Sequence, residues 1–360
     1  MKILFLCGSL EPGHDGVGDY TRRLCGELIK KGHQTQILSL YDYHSKTFST
    51  EKQEFDHTEI VVHRVALEIS NAQRFTWSQD ILKEFQPDWI SLQFVPYSFN
   101  AKGLPFWIPS FLKRLKGNHK WHIMFHELWL GIDLEASIKH KIIGKAQQVI
   151  IQQLITKNRP HFITTQNQLY QFFLHSHNIT SEVLPICGNI PLNNVTKQEI
   201  GFTQFVLFGT IHPGAPFEDF IGDLLQTLDT FVKPIKFVFI GKNGSELDNY
   251  LSILENNNIV YEVLGIQSES EISQVLINSD YGISTTPYLQ TEKSGVYAAY
   301  REHRINTISV SRNWTPAKGH YDIKEIIKYE KNNLKITPID AEVFDLNCMT
   351  DQFINSISKI

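Results

Sequence analysis

The first forty residues confine the fold of this chain more than any other stretch. Ile3 to Cys7 is a continuous apolar run of strand length, and a run with no polar alternation belongs to a parallel sheet covered on both faces. A glycine-bearing loop follows from Gly8 to Gly18. Val17, Thr21, Leu24 and Leu28 then share one helical face, and Gly32 stands just past the helix end. Gln34 to Leu40 reads as a second strand. Strand, loop, helix, strand is a βαβ unit whose loop lies at the C-terminal edge of the sheet, where ligands of such sheets gather.

The same grammar recurs down the chain. Trp89–Phe94, Trp121–Phe125 and Phe162–Thr165 read as strands, with helices over Pro105–Leu115, Lys141–Thr156 and Asn167–His175. Prolines and a glycine then cluster between Glu182 and Pro191, and polar residues continue to about Gly201, which marks a linker. Strands resume at Gln204–Gly209, Ile235–Gly241, Val260–Leu264, Tyr281–Ser284 and Thr307–Val310, with helices over Asp219–Phe231 and Glu269–Ile277. At 360 residues the chain exceeds what one core serves. The expected fold is α/β, two doubly wound Rossmann-like domains facing across a cleft. Residues 1–185 form the first, 186–200 the linker, 201–345 the second, and 346–360 a C-terminal helix that packs back on the first.

A net charge of −4 gives no overall drive toward nucleic acid, so an anionic ligand must be met by local groups. Four cysteines, Cys7, Cys25, Cys187 and Cys348, are scattered without a CxxC pair. They suit neither a zinc site nor a disulfide framework, and no metal is expected; reduced thiols point to the cytoplasm. No apolar stretch has the length of a membrane span, and the one at the N-terminus is too short for a secretory signal. The basic, aromatic segment Trp107–Lys116 has two readings, contact with the inner face of a membrane or a core-facing helix with a solvated basic side, and the second is preferred.

Late in the chain, Val296, Ala299, Tyr300 and His303 recur at helical spacing after the strand at Tyr281–Ser284, so Glu292 to Gly295 is the turn that opens a helix. Helix starts leave backbone N–H groups unpaired and carry partial positive charge. Lys293, Ser294 and Gly295 there make either a diphosphate seat or an ordinary cap. Near the N-terminus, Gly16-Val17-Gly18-Asp19-Tyr20-Thr21 puts Thr where the dinucleotide fingerprint needs its third glycine, which disfavours a dehydrogenase. Gly16 and Gly18 serve a turn or close approach to a ligand. His126, beside Glu127 at the end of a parallel strand, is placed to donate or carry a proton, or is a packed ring.

Laid out together, these residues resemble the nucleotide-sugar-dependent glycosyltransferases of the GT-B fold, particularly the retaining family-four group. The resemblance rests on the opening strand, the loop Gly16–Thr21, His126, the crossover Leu184–Pro191, Phe208-Gly209, Ile240-Gly241, Leu264-Gly265, Ser279–Gly282 and Glu292-Lys293-Ser294-Gly295. It implies a nucleotide sugar of UDP or GDP type as donor substrate, with no cofactor and no metal. The donor would sit on the second domain, its diphosphate near Ser294 and Gly295 and its base near Ile266, while Gly16 and Gly18 reach across to the phosphates. His126 and Glu292 would lie by the transferred sugar. The acceptor, a saccharide or lipid-linked saccharide, would bind the first domain.

Two departures stand out. The family's Arg and Lys after the first strand of the second domain are absent from Thr210-Ile211-His212-Pro213-Gly214-Ala215-Pro216, leaving Thr210 at that turn and Lys242 or Lys293 as substitute cations. The glutamate pair spaced E-x7-E is broken as well, since Tyr300 answers the second position and Glu302 comes later as a substitute ribose contact. The expected function is therefore a glycosyltransferase. Its alternatives are a catalytically silent protein of the same fold that binds a glycan or a partner glycosyltransferase, and a sugar-nucleotide epimerase.

Overall fold

The computed structural model describes residues 1–192, 196–319, 321–337, 339 and 344–360. The chain divides into two compact units. One is Met1–Pro185 with Pro316–Gly319 and Leu346–Ile360; the other is Ile186–Thr315 with the described part of 320–345.

In chain order the first unit contains β1 (Lys2–Cys7), α1 (Gly16–Lys30), β2 (Gln34–Asp42), β3 (Phe48–Phe55), β4 (Thr58–Ala66), α2 (Asn71–Phe85), β5 (Trp89–Phe94), α3 (Ile108–Arg114), β6 (Lys120–Phe125), α4 (Ile138–Asn158), β7 (Phe162–Thr165), α5 (Gln168–His175) and β8 (Glu182–Val183). Its sheet runs β3-β4-β2-β1-β5-β6-β7-β8, parallel throughout except for the β3–β4 pair. Ile3 to Cys7 are fully buried at its centre, as a central parallel strand requires. The order reverses between β1 and β5, where a turn at Pro96–Phe99 comes close to the end of β1. A Cβ on Gly8 would stand 2.3 Å from the Ser98 carbonyl oxygen.

Two features of this unit, a hairpin and a helix, differ from the sequence reading, and the basic, aromatic segment follows its preferred reading. The β3–β4 hairpin was not expected, because β3 is largely polar and its turn uses Asp56 and His57 at φ 45° and 59° rather than a glycine. Helix α2 was also missed; it ends on Gln86 in the left-handed region, again without glycine. In the segment Trp107–Lys116, Ile108, Phe111, Leu112 and Leu115 are buried while Lys113, Arg114 and Lys116 are exposed. Its apolar side therefore belongs to the core.

The second unit contains β9 (Thr203–Phe208), α6 (Phe217–Leu225), β10 (Ile235–Ile240), α7 (Leu247–Asn256), β11 (Val260–Gly265), α8 (Glu269–Asn278), β12 (Tyr281–Ser284), α9 (Gly295–Glu302), β13 (Asn306–Ser309) and β14 (Ile326–Lys328). The sheet is parallel throughout, in the order β11-β10-β9-β12-β13-β14. Its core is aromatic. Phe205 stacks between Phe237 and Tyr281 at 5.1 and 5.0 Å, and Phe217 stacks on Tyr250 at 3.9 Å. Each such ring contributes about 1.5–3 kcal/mol by leaving water. The helix expected over Asp219–Phe231 stops at Leu225 and gives way to a short 3-10 turn at Leu228–Thr230.

The expected linker begins as a strap packed on α9. Gly188 lies so close to that helix that a Cβ would stand 2.9 Å from the Ala299 nitrogen, and Ile186, Cys187 and Ile190 are buried. Residues 193–195 of that stretch lie outside the described residues. The chain closes with α10 (Leu346–Ser358), whose Met349, Phe353 and Ile357 are buried in the first unit, the Phe353 ring 6.2 Å from that of Phe5.

Candidate functional site

In the second unit the winding reverses between β9 and β12: β10 and β11 lie to one side, β13 and β14 to the other. A crevice at such a reversal, beyond the carboxyl ends of the strands, is where open parallel sheets take ligands. A cavity of about 240 Å³ lies there, lined by Leu207–His212 from the end of β9, Ile283–Thr286 from the end of β12, and Ser294 and Val296 at the start of α9.

Backbone geometry shapes its floor. Gly209, Gly241 and Gly265, at the ends of three adjacent strands, have φ of 75°, 87° and 64°. The Gly209 N–H donates to the Ile240 carbonyl and the Gly241 N–H to the Gly265 carbonyl. At Gly241 a side chain would be strained by the backbone and would crowd the Gly209 nitrogen, 3.3 Å from its Cβ. The buried Asn243 amide donates to the Gly209 carbonyl, and the Ile211 N–H donates to the Asn243 carbonyl, tying the loops after β9 and β10 together.

Two polar groups on the cavity wall are left uncommitted. Ser284 is 2% exposed, and its hydroxyl has no hydrogen-bond partner among the described residues. An unmet hydroxyl in a buried site costs roughly 1–3 kcal/mol, so its retention beside the cavity calls for a reason. Ser294 is the N-cap of α9 yet makes no side-chain capping bond, and it lines the cavity together with Val296 of the first turn. The neighbouring Thr285 hydroxyl is occupied, accepting from the His212 N–H at 2.8 Å.

The start of α1 is built the opposite way. Asp15 caps it with a carboxylate that accepts from the Val17 and Gly18 N–H groups, both at 3.0 Å. Burial raises the Asp15 pKa. Gly16 and Gly18 were expected to reach across to the phosphates; the N–H of Gly18 is spent on Asp15. Its lack of a side chain is explained by the Ser9 carbonyl oxygen, 2.9 Å from where a Cβ would stand. Gly16 is exposed with open space around it.

His126 is 3% exposed, and both ring nitrogens are engaged. Nε2 pairs with the Gln93 side-chain carbonyl at 2.8 Å, and Nδ1 accepts from the Gln166 amide at 2.5 Å. Burial drives its pKa down to about 3, so the ring is neutral at physiological pH. The expectation of a proton carrier is corrected by those two bonds, which leave neither ring nitrogen free for a ligand. The ring instead ends a buried polar chain in which the Gln93 amide donates to the Ser91 hydroxyl, Ser91 meets His122 at 2.7 Å, and His122 meets Thr164 at 2.8 Å.

Of the remaining expected residues, Thr210 and Ser294 line the cavity. Lys293 and Gly295 flank Ser294, and Glu292 is half-buried one position earlier. Lys242 is exposed beside Thr210, whose hydroxyl donates to its carbonyl at 3.4 Å. Ile266 is 80% exposed after β11, two strands from β9. Glu302 is not part of this group. It lies at the far end of α9, 3% exposed, with Oε1 accepting from the Gly188 N–H at 2.7 Å, so a structural bond occupies the carboxylate expected at the ribose. Sequence reading missed Ser284, Thr285 and His212; the run Ser284-Thr285-Thr286 at the end of a buried strand was the available signal.

No protein-family model matches the chain, and no curated protein matches it. Solved structures do. The UDP-GlcNAc 2-epimerase from Methanocaldococcus jannaschii is similar over 100% of both chains at 10% identity, with a TM-score of 0.54. The lipopolysaccharide outer core galactosyltransferase WaaB, in its apo form, is similar over 100% of this chain and 90% of its own, at 14% identity and a TM-score of 0.54. HepE from Anabaena, in complex with UDP and glucose, is similar over 100% of both chains at 12% identity and a TM-score of 0.54. The likeness shows the fold: two Rossmann-like domains of the GT-B type.

Proposed function

We propose that the protein is a glycosyltransferase that moves a sugar from a nucleoside diphosphate donor, of UDP type, to a hydroxyl of a saccharide or lipid-linked saccharide, with retention of configuration. The observation that carries this reading is the cavity at the β9–β12 reversal, whose lining includes Ser284, with an unpartnered hydroxyl, and Ser294, at a helix start without a side-chain cap. Departure of a nucleoside diphosphate leaves negative charge on phosphate oxygens. Fixed N–H groups and hydroxyls aimed at that charge lower the barrier. Ser294 and Gly295 would hold the diphosphate, with Lys293 and Lys242 supplying cations and Glu292 lying by the sugar. A galactosyltransferase and a UDP- and glucose-bound protein among the structural neighbours support the choice of donor.

Calorimetry with UDP and GDP tests it. UDP should bind, and Ser294→Trp, which fills the cavity mouth, should weaken binding at least about tenfold, 1.4 kcal/mol. If neither nucleotide binds, or if the tryptophan changes nothing, the reading is wrong. A second reading is a silent member of the same fold, favoured by the lack of Arg or Lys across Thr210–Pro216 and by the engaged nitrogens of His126. UDP binding without hydrolysis, transfer or epimerisation of any UDP-sugar would select it.

A further inference from the structure

We propose that the outer face of α4 docks on an anionic phospholipid surface. The inner face of this helix is fully committed. Ile150, Ile151 and Leu154 are buried, and Gly144 is pressed so close to the preceding loop that a Cβ would stand 1.9 Å from the Leu130 carbonyl oxygen. The outer face carries bare aliphatic side chains among basic ones: Ile138 is 78% exposed, Ile142 65% and Val149 50%. With Lys141 and Lys145 they follow an i, i+3, i+4, i+7, i+11 pattern, a single stripe. Leu134, just before the helix, is exposed as well.

Charge selects the occupant. From Ala136 to Ser181 there is no Asp or Glu, and residues 89–181 carry ten Lys and Arg against three acidic residues in a chain of net charge −4. Among the described residues no carboxylate pairs with Lys139, Lys141 or Lys145. A phospholipid surface takes aliphatic side chains into the acyl boundary while its headgroups attract the lysines between them. A protein partner fits less well, since buried protein interfaces favour aromatic residues and Arg and are depleted in Lys. The stripe belongs to the first unit and the cavity to the second, and the test of the stripe involves no nucleotide.

The test is sedimentation of the full chain with phosphatidylcholine vesicles, with and without about 30 mol% phosphatidylglycerol. Anionic vesicles should bind it at least about tenfold better than neutral ones, and binding should fall several-fold near 0.5 M salt, roughly where screening shortens to a few Å. Ile138→Glu with Ile142→Glu should lower binding about tenfold. Lys139→Gln, Lys141→Gln and Lys145→Gln together should remove the preference for anionic lipid. All five positions are exposed, so circular dichroism should stay that of wild type. Absence of binding to anionic vesicles, or variants that bind as wild type does, overturns the proposal. So does self-association, measured by sedimentation velocity, that the glutamates abolish while vesicles are ignored; the face would then belong to a second copy.

Discussion

Two hydroxyls in the second unit show how much the partner of a polar atom decides. The Tyr300 phenol is buried, accepts from the Phe208 N–H at 2.9 Å, and lies 3.1 and 3.3 Å from the carbonyls of Val206 and Ile283. Burial raises its pKa. Gly282 is matched to this ring, since a Cβ there would stand 2.5 Å from it. Tyr300→Phe should therefore cost about 1–3 kcal/mol in urea unfolding, because it strips a partner from the Phe208 N–H. Ser284 is the reverse case. Ser284→Ala removes a hydroxyl that nothing satisfies, so unfolding stability should hold or rise slightly while UDP affinity drops about five- to tenfold. A loss of stability equal to the loss of affinity would show that Ser284 is a packing residue. Neither role was visible in the sequence, where a serine closing a strand and a tyrosine on a helix carry no record of what faces them.

The strands β5, β6 and β7 are joined inside by side chains as well as backbone. His122 and His126 are buried, and burial depresses both pKa values to about 3. In the unfolded chain each imidazole takes up its proton near pH 6.5. Between those values the unfolded state binds more protons, so stability is fully present above about pH 6.5 and falls with acidification by roughly 1.4 kcal/mol per pH unit for each ring. Melting followed from pH 7.5 to 5 should show that slope, and His122→Gln should flatten it by about half. The backbone that places these rings was largely legible. Trp89–Phe94 and Phe162–Thr165 coincide with their observed strands, and Trp121–Phe125 lacks only Lys120, because uninterrupted apolar runs have one good home in a parallel sheet. The β3–β4 hairpin was hidden because half of β3 faces water and its turn runs through Asp56 and His57. Helix α7 was hidden by its polar start and the absence of a side-chain cap.

At the scale of the molecule, the first unit is closed by the last helix in the chain. Phe353 is 1% exposed between Phe5 and His122, the Gln352 amide donates to the Val183 carbonyl, and Lys31 pairs with Asp351 at 2.7 Å. Phe353→Ala should cost about 3–5 kcal/mol. Removal of residues 346–360 should leave the first unit open to proteolysis, read as early cleavage within residues 1–185; unchanged digestion would show the helix to be dispensable. The sequence reading set this helix against the first domain but named no partner residues, since contacts across more than three hundred residues leave no local mark. The strap at Ile186–Gly188 has a comparable reach. It holds the C-terminal turn of α9 through the bonds from Gly188 to Glu302 and from the Arg301 guanidinium to Ile186, while the opposite end of those eight residues forms the cavity wall. A helix of that length is a stiff lever about 12 Å long. The strap and the cavity therefore take hold of the two ends of one short, rigid helix.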